Sequence, residues 1–508
     1  MKRASTPDGL RGELHSRWPE WTALSLYAAL VAFAIPYHEP FSDEAQAWQL
    51  ARSLSLRDLF QSCIRYEGSP GLWHFLLWIM IRAHVSYTGL HWICGAIAVG
   101  ATALLLFKSP FPRYLKLAFP FTVFLLFQYA VVARSYVLVP LLLYLVALCW
   151  KKSPVVMSLL LGLMANVALH AAVISGGLAI IYIIKQVSKG GANKSSRWRQ
   201  FSCSALILLG FGAFAIWTAW PPHDIANHLS FYLHFSWAVF FIRSLASITL
   251  GVFQPWVLSI LFWIAIVIYL HARRCLIYLL PIMLFAAFSG VSALSWWHIG
   301  LLIPLLICIL WITWPDSGAK LRPGETAGRI ALIAMVTVQI LWSAYAIEYD
   351  HYNAFSPDLA ASEYLRPLVR QGVTIAVTYT DDPDARGYRS VGILPYFDRN
   401  IFINLPKPYI LGFRNQDPTE ETFLNVFPDR PTLVIVETHP DQVNVSINLF
   451  TPRIELLYTA GYRFTNMFCG AMPMGFELRE KSCHLIFQRD NISQSPSGVK
   501  ASAALAAK

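Results

Sequence analysis

Two adjacent carboxylates, Asp43 and Glu44, follow the first long apolar run of this chain, in Ser42-Asp43-Glu44-Ala45-Gln46-Ala47-Trp48. At a water–lipid boundary such a pair can supply a general base and a partner that orients it or binds a cation. A structural reading fits the same residues. Ser42 is a good N-cap, and Asp43 and Glu44 would then occupy a first helical turn, where negative charge suits the macrodipole. Both readings can hold together. A third carboxylate, Glu67, lies in Tyr66-Glu67-Gly68-Ser69-Pro70-Gly71-Leu72-Trp73-His74. That stretch reads as a Gly/Pro turn into an interfacial segment, or as a turn that carries Glu67 toward a pocket beneath the loop.

Cationic candidates stand further along. Arg134, in Ala133-Arg134-Ser135-Tyr136, falls at the outer end of an apolar run, where positive charge should be scarce. A guanidinium there suits a bidentate contact with a phosphate at headgroup depth, a snorkelling anchor, or a partner for a loop carboxylate. Arg243, before a later apolar run, is a second residue of that kind. His170 and His298 lie at the ends of apolar runs. Intramembrane ionisable groups are costly and often functional, although a lone His near a helix end also serves as hydrogen-bonded structure. His223, Asp224 and His228 have a loose metal-like spacing that reads equally as a solvated loop. No Gly-rich phosphate loop, GxSxG elbow or zinc signature is present in the sequence.

The elements that position these residues are apolar runs. Of 508 residues, 56% are hydrophobic and 14% charged, against about 25% charged in a soluble domain. The runs divide into about eleven stretches of membrane-crossing length: 20–37, 88–107, 117–134, 136–150, 154–171, 172–185, 201–220, 254–271, 276–294, 298–314 and 328–347. Basic residues follow every second one. These are Lys108, Arg113 and Lys116; Lys151 and Lys152; Lys185, Lys189, Lys194, Arg197 and Arg199; Arg273 and Arg274; and Lys320, Arg322 and Arg329. The positive-inside rule places those loops in the cytoplasm, with the N-terminus inside and the C-terminal part outside. The net charge of +11 is thereby a topology signal, and nucleic acid is not an expected partner. Lys2, Arg3, Arg11 and Arg17 precede the first run without a small-residue cleavage site, so it reads as an uncleaved span.

The expected organisation is a cytoplasmic tail over 1–19, a helical membrane domain over 20–349, an α/β domain over 350–492, and a disordered tail over 493–508. Two outer loops, His38 to Tyr87 and Pro221 to Gln254, contain aromatic amphipathic stretches, Ala45–Ile64 and Phe231–Leu250, that resemble interfacial helices. Gly71–Ile81 is too short to cross and is expected in the interface or as a re-entrant segment. In the C-terminal domain, Asp358–Gln371 reads as a helix. Val373–Thr380, Asn400–Asn404, Thr432–Thr438 and Cys483–Arg489 read as strands, with a helical piece at Thr419–Phe427. The eight cysteines form no CxxC pair. Cys469 and Cys483 fall in the polar part, where an oxidising compartment would allow them to pair.

These segments carry a family resemblance. Ser42 to Trp48, followed by Tyr66-Glu67-Gly68-Ser69-Pro70-Gly71-Leu72-Trp73, is similar to the first loop of membrane glycosyltransferases of the GT-C fold. It most resembles the bacterial relatives of the protein O-mannosyltransferase and aminoarabinose transferase group (family 39-like). Ala133-Arg134-Ser135-Tyr136, His170 and Trp297-His298 resemble recurrent positions of those proteins. Val391-Gly392-Ile393-Leu394-Pro395-Tyr396-Phe397-Asp398-Arg399 resembles a stretch of their soluble domains. Many relatives carry His where this chain has Ser69, so no role passes to that position.

The resemblance implies an inverting hexosyl- or pentosyltransferase of the bacterial inner membrane and cell envelope. It would take sugar from a polyprenyl-phosphate donor to a glycan, lipid or protein acceptor on the extracytoplasmic face. Asp43 would be the base, Glu44 would orient Asp43 or the acceptor, and Arg134 would hold the leaving phosphate. Glu67, Tyr136, His170, Arg243 and His298 would line the substrates. No cofactor is implied with certainty, since some relatives bind a divalent cation and others do not. Two other functions compete. A transporter or flippase would place charged or broken spans at mid-membrane, often in repeated halves. A non-catalytic envelope assembly protein would tolerate loss of Asp43.

Overall fold

The computed structural model describes residues 17–188, 194–222, 236–292, 294–315, 322, 324–379, 389–405, 407–409, 430–438 and 451–490. Residues 1–16 of the expected N-terminal tail, the expected C-terminal tail, the Thr419–Phe427 helix and His223, Asp224 and His228 lie outside these residues. Five helices are long and apolar enough to cross a membrane: Tyr87–Lys108, Leu169–Val187, Arg199–Ala219, Trp296–Thr313 and Glu325–Tyr352. The chain is an integral membrane protein. Helices also occupy other expected spans over shorter lengths, among them Trp18–Ala34, Ser135–Cys149, Pro154–Ala165, Trp256–Ala272 and Leu276–Val291. Of the residues in Trp296–Thr313, 89% are buried against the rest of the protein. Leu206, Leu209, Ile242, Leu261, Ile264 and Met283 point outward, as lipid-facing side chains do.

The expected third span, 117–134, is not one helix. It is a short helix, Arg113–Ala118, then the 3-10 turn Phe119–Phe121, the π-helical turn Phe124–Gln128 and an irregular stretch to Arg134. Pro120 sits in the 3-10 turn and has no N–H to continue a ladder. Broken backbone at membrane depth persists only if protein satisfies it, and neighbouring helices do so here. Tyr27 donates its hydroxyl to the Leu125 carbonyl at 2.7 Å, and Ser343 donates to the Phe121 carbonyl at 2.7 Å. The Phe124 ring packs directly on the Gly300 backbone, in space that a Cβ would fill. The fifth and sixth spans meet at Asn166–Ala168 rather than Ala171. Asn166 ends Pro154–Ala165 and donates to the Gly162 and Phe211 carbonyls, and Leu169 then opens the next helix, with His170 its second residue.

Helix ends sort into two sets by their contacts. Glu20, at the start of the first helix, pairs with Lys116 at 2.7 Å and Arg113 at 3.3 Å. Arg273 reaches Glu325 at 3.5 Å, and Arg322 donates to the Ala272 carbonyl. The basic loops thus meet one another at one end. At the other end His38 meets Asp350, and Gln254 donates to the Met474 carbonyl of the C-terminal domain.

That domain holds a four-stranded sheet in the order β1-β2-β4-β3, with β1 Ile375–Tyr379, β2 Leu433–Thr438, β3 Tyr462–Met474 and β4 Glu477–Arg489. β1 and β2 are parallel, and the other pairs are antiparallel. Alternating residues face opposite ways. Ile375, Val377, Leu433 and Ile435 pack under helix Asp358–Arg370, and Ala376, Val434, Val436 and Phe487 pack under helix Pro452–Thr459. The strand expected at Asn400–Asn404 is a single bridge, Ile375 to Phe402. The Asn404 amide takes both backbone groups of Val377 and so fills the place of further ladder bonds. β3 was not expected. Gly470 and Pro473 interrupt its pattern, and the disulfide between Cys469 and Cys483 ties it to β4.

A buried polar chain runs beneath this sheet. Ser356 donates to Asp358, whose other oxygen lies 2.8 Å from His484 Nε2. Burial pulls the His484 ring toward neutrality, but the bond and charge of Asp358 outweigh it and raise its affinity for a proton. Stability from a raised histidine is fully present below the unfolded value of about 6.5 and is lost as pH rises through the folded value. The thermal midpoint of detergent-purified protein should therefore fall as pH is raised above 6.5. His484→Gln should start lower and flatten that slope. An equal slope in the variant would remove His484 as its source.

Candidate functional site

Helix Ser42–Ser53 carries the acidic pair. Its N-cap is Phe41, not Ser42, which places Glu44 at the third helical position. From there Glu44 accepts from the Phe41 N–H at 3.1 Å, half of a capping box. Its other oxygen accepts from the Ala133 N–H at 2.6 Å and meets His91 Nε2 at 3.0 Å. His38 Nε2 lies 3.5 Å from Glu44, and His38 Nδ1 lies 3.2 Å from Asp350. The Glu44 side chain has no exposure. Burial pushes its carboxyl up, but the His91 hydrogen bond and the charges of His38 and His91 outweigh that and hold it well below the usual range. Burial pulls His38 down, but Asp350 and Glu44 raise it to about 10. Burial, reinforced by Asp350, pushes Glu39 up to about 7.

Asp43 has the opposite surroundings. Its side chain is 43% exposed, and its Oδ2 lies 3.0 Å from Arg134 Nη2. The two contacts are linked, because Glu44 holds the N–H of Ala133, the residue before Arg134. One carboxylate of the pair is a buried anchor, and the other faces solvent beside a guanidinium.

Arg134 is held by rings. Its guanidinium carbon lies 4.4 Å from the Trp297 ring, 5.2 Å from Tyr136 and 5.6 Å from Phe41. Its Nη1 is buried and has no hydrogen-bond partner among the described residues. Beyond Tyr136 the row continues. Tyr136 meets His298 edge-on, and His298 stacks on His170 with centroids 4.1 Å apart. His298 Nδ1 accepts from the Ser295 N–H, so its Nε2 carries the proton in the neutral ring. His170 approaches the Ser292 hydroxyl, and Arg243 donates to the Ser292 carbonyl. Arg243 therefore closes the row instead of standing beside Asp43.

Glu67 joins from the other side. Gln46, one turn beyond Asp43 on the same helix face, donates to Glu67 at 3.0 Å. The structure thus links Asp43, Arg134, Tyr136, His298, His170 and Arg243 in one continuous row, with Glu67 reached through Gln46.

The C-terminal domain covers the acidic helix. Arg52 donates to the Phe397 carbonyl at 2.8 Å, and Tyr396 packs edge-on against Tyr87. The Val391–Arg399 stretch noted in the sequence is this covering segment.

Sequence reasoning missed His38, His91 and Asp350. The first two carried a signal, since each is a histidine at a span end. Nothing in the spacing could pair His38 with Asp350, which lies 312 residues away.

No protein-family model matches the chain, and no curated protein matches it. Among solved structures it is similar to the cryo-EM structure of the arabinofuranosyltransferase AftD from Mycobacteria, at 10% identity and a TM-score of 0.39. The likeness covers 93% of this chain and 40% of that one, so the chain spans less than half of that protein's length.

Proposed function

We propose that this protein transfers a sugar from a polyprenyl-phosphate carrier to an acceptor on the extracytoplasmic face of the membrane. The observation that carries this reading is the pairing of solvent-facing Asp43 with Arg134, a guanidinium with one unsatisfied buried nitrogen. The first-loop motifs around Asp43 and Glu67 support it. So does the disulfide, which suits an oxidising compartment, and the meeting of basic helix ends at the opposite side.

The reading implies a single displacement. Asp43 removes the proton from the acceptor hydroxyl. The acceptor oxygen attacks the anomeric carbon from the side opposite the phosphate and inverts it. The bond from that carbon to the phosphate oxygen breaks, and the lipid phosphate leaves with the electron pair. Arg134 stabilises the charge that develops there. A donor phosphate that engages the guanidinium would draw it away from Asp43 and leave that carboxylate free to meet the acceptor hydroxyl. Tyr136, His298 and His170 line the donor side behind Arg134. Gln46 and Glu67 flank the acceptor side. Glu44 touches neither substrate and acts as a positioning residue.

Arg134 tests the donor half of this reading. Arg134→Lys keeps the charge but loses the fork and the ring stacking. It should lower transfer at limiting donor by about 10²-fold, chiefly through a higher apparent KM for lipid-phosphate sugar. Wild-type kinetics in that variant would remove Arg134 from donor binding.

A further inference from the structure

We infer that His38, Glu44 and His91 form a zinc site that fastens the acidic helix to the membrane domain. The three side chains come from the segment after the first helix, the acidic helix and the start of Tyr87–Lys108. All are buried, and one ligand atom from each lies within 4.8 Å of the others. Zinc with nitrogen and oxygen ligands at about 2.0–2.2 Å in a tetrahedral site sets ligand atoms about 3.3 Å apart. Glu44 Oε2 lies 3.0 Å from His91 Nε2 and Oε1 lies 3.5 Å from His38 Nε2, so each imidazole already stands about that far from one oxygen of the carboxylate.

Two further features suit a metal. His38 Nε2 is buried, points at the cluster and makes no hydrogen bond, while its Nδ1 faces Asp350 at 3.2 Å. A carboxylate behind the distal nitrogen of a metal-ligating histidine fixes the ring so that the other nitrogen faces the metal. Glu44 is oriented in the same manner by the Phe41 and Ala133 N–H groups. Two imidazoles and one carboxylate are the ligands that zinc and similar borderline cations take, and they are a poor set for magnesium or calcium. The site lies one residue from Asp43, yet Asp43 is not in it. Its role is to hold Asp43 against Arg134, and the reacting atoms do not touch the metal.

The test needs no sugar, so its failure would leave the transferase reading standing. Full-length protein with a histidine-free tag is purified in detergent, stripped with chelator and titrated with zinc alone. Zinc content and thermal midpoint are measured together. Wild type should take up about one tightly held zinc per chain and gain several degrees in midpoint. His91→Ala and His38→Ala should each lose that uptake, and Asp350→Asn should bind about 10–100-fold more weakly. A double variant, His223→Ala with His228→Ala, and Cys203→Ser should bind as wild type does. Variants that fail to fold do not rescue the idea, because wild type decides it alone. No stoichiometric uptake at micromolar zinc, or uptake without a midpoint change, would overturn it. So would undiminished uptake by folded His91→Ala.

Discussion

Asp43→Asn should abolish most sugar transfer, lowering it about 10²–10⁴-fold, while leaving the protein folded. The loss follows from removing a general base that no neighbour can replace. Glu44 is fully buried and already holds four groups, and Glu67 stands beyond Gln46. The fold should survive because Asp43 is 43% exposed and, among the described residues, pairs only with Arg134. Such a pair is worth at most about 1 kcal/mol, and the amide of Asn can still meet the guanidinium. The check is transfer and thermal midpoint measured on one preparation. Undiminished transfer would remove Asp43 as the base, and a collapsed midpoint would make it a structural residue.

Glu44→Ala should do the reverse, with a large loss of stability that draws activity down with it. The substitution strips a buried carboxylate from His38 and His91 and leaves the Phe41 and Ala133 N–H groups without their acceptor. Breaking a buried charge pair from one side costs about 3–5 kcal/mol. Glu44→Gln keeps an acceptor for the N–H groups and should cost less. Unfolding of the purified variants reads this directly. A Glu44→Ala protein as stable as wild type would mean that the buried knot does not hold the loop. The two predictions separate neighbouring residues of the same chemistry, one by activity and one by stability.

The sequence and the structure divide the explanation unevenly. Apolar runs and basic loops predicted where helices lie, because burial in lipid and charge retention act on composition over about 20 residues. The break at Pro120 escaped that reading. Hydropathy does not register a break beside a proline where the Leu125 and Phe121 carbonyls are taken up by Tyr27 and Ser343 from distant helices. In the soluble domain β1, β2 and helix Asp358–Arg370 were legible from their alternation and periodicity. β3 was not, since its apolar positions are broken by Gly470 and Pro473, and the β4 partner across the Cys469–Cys483 disulfide makes it a strand.

The site shows the same limit. The residue types of Asp43, Arg134, Tyr136, His170 and His298 singled them out, and the structure brings them into one row. The different surroundings of Asp43 and Glu44 were not legible. Spacing makes the two look interchangeable, and only a fold that brings His38, His91 and Ala133 onto Glu44 separates them.

The central claim is that Asp43 and Arg134 carry sugar transfer from a lipid phosphate. The most direct measurement follows the donor. Membranes enriched in this protein are given polyprenyl phosphates charged with radiolabelled hexoses and pentoses, and both products are counted. Wild-type membranes should move label from one such donor into an acceptor and release an equal amount of free polyprenyl phosphate. Membranes carrying Asp43→Asn should do neither. Donor turnover in the Asp43→Asn membranes at the wild-type rate, or no turnover of any donor by wild type, would contradict it.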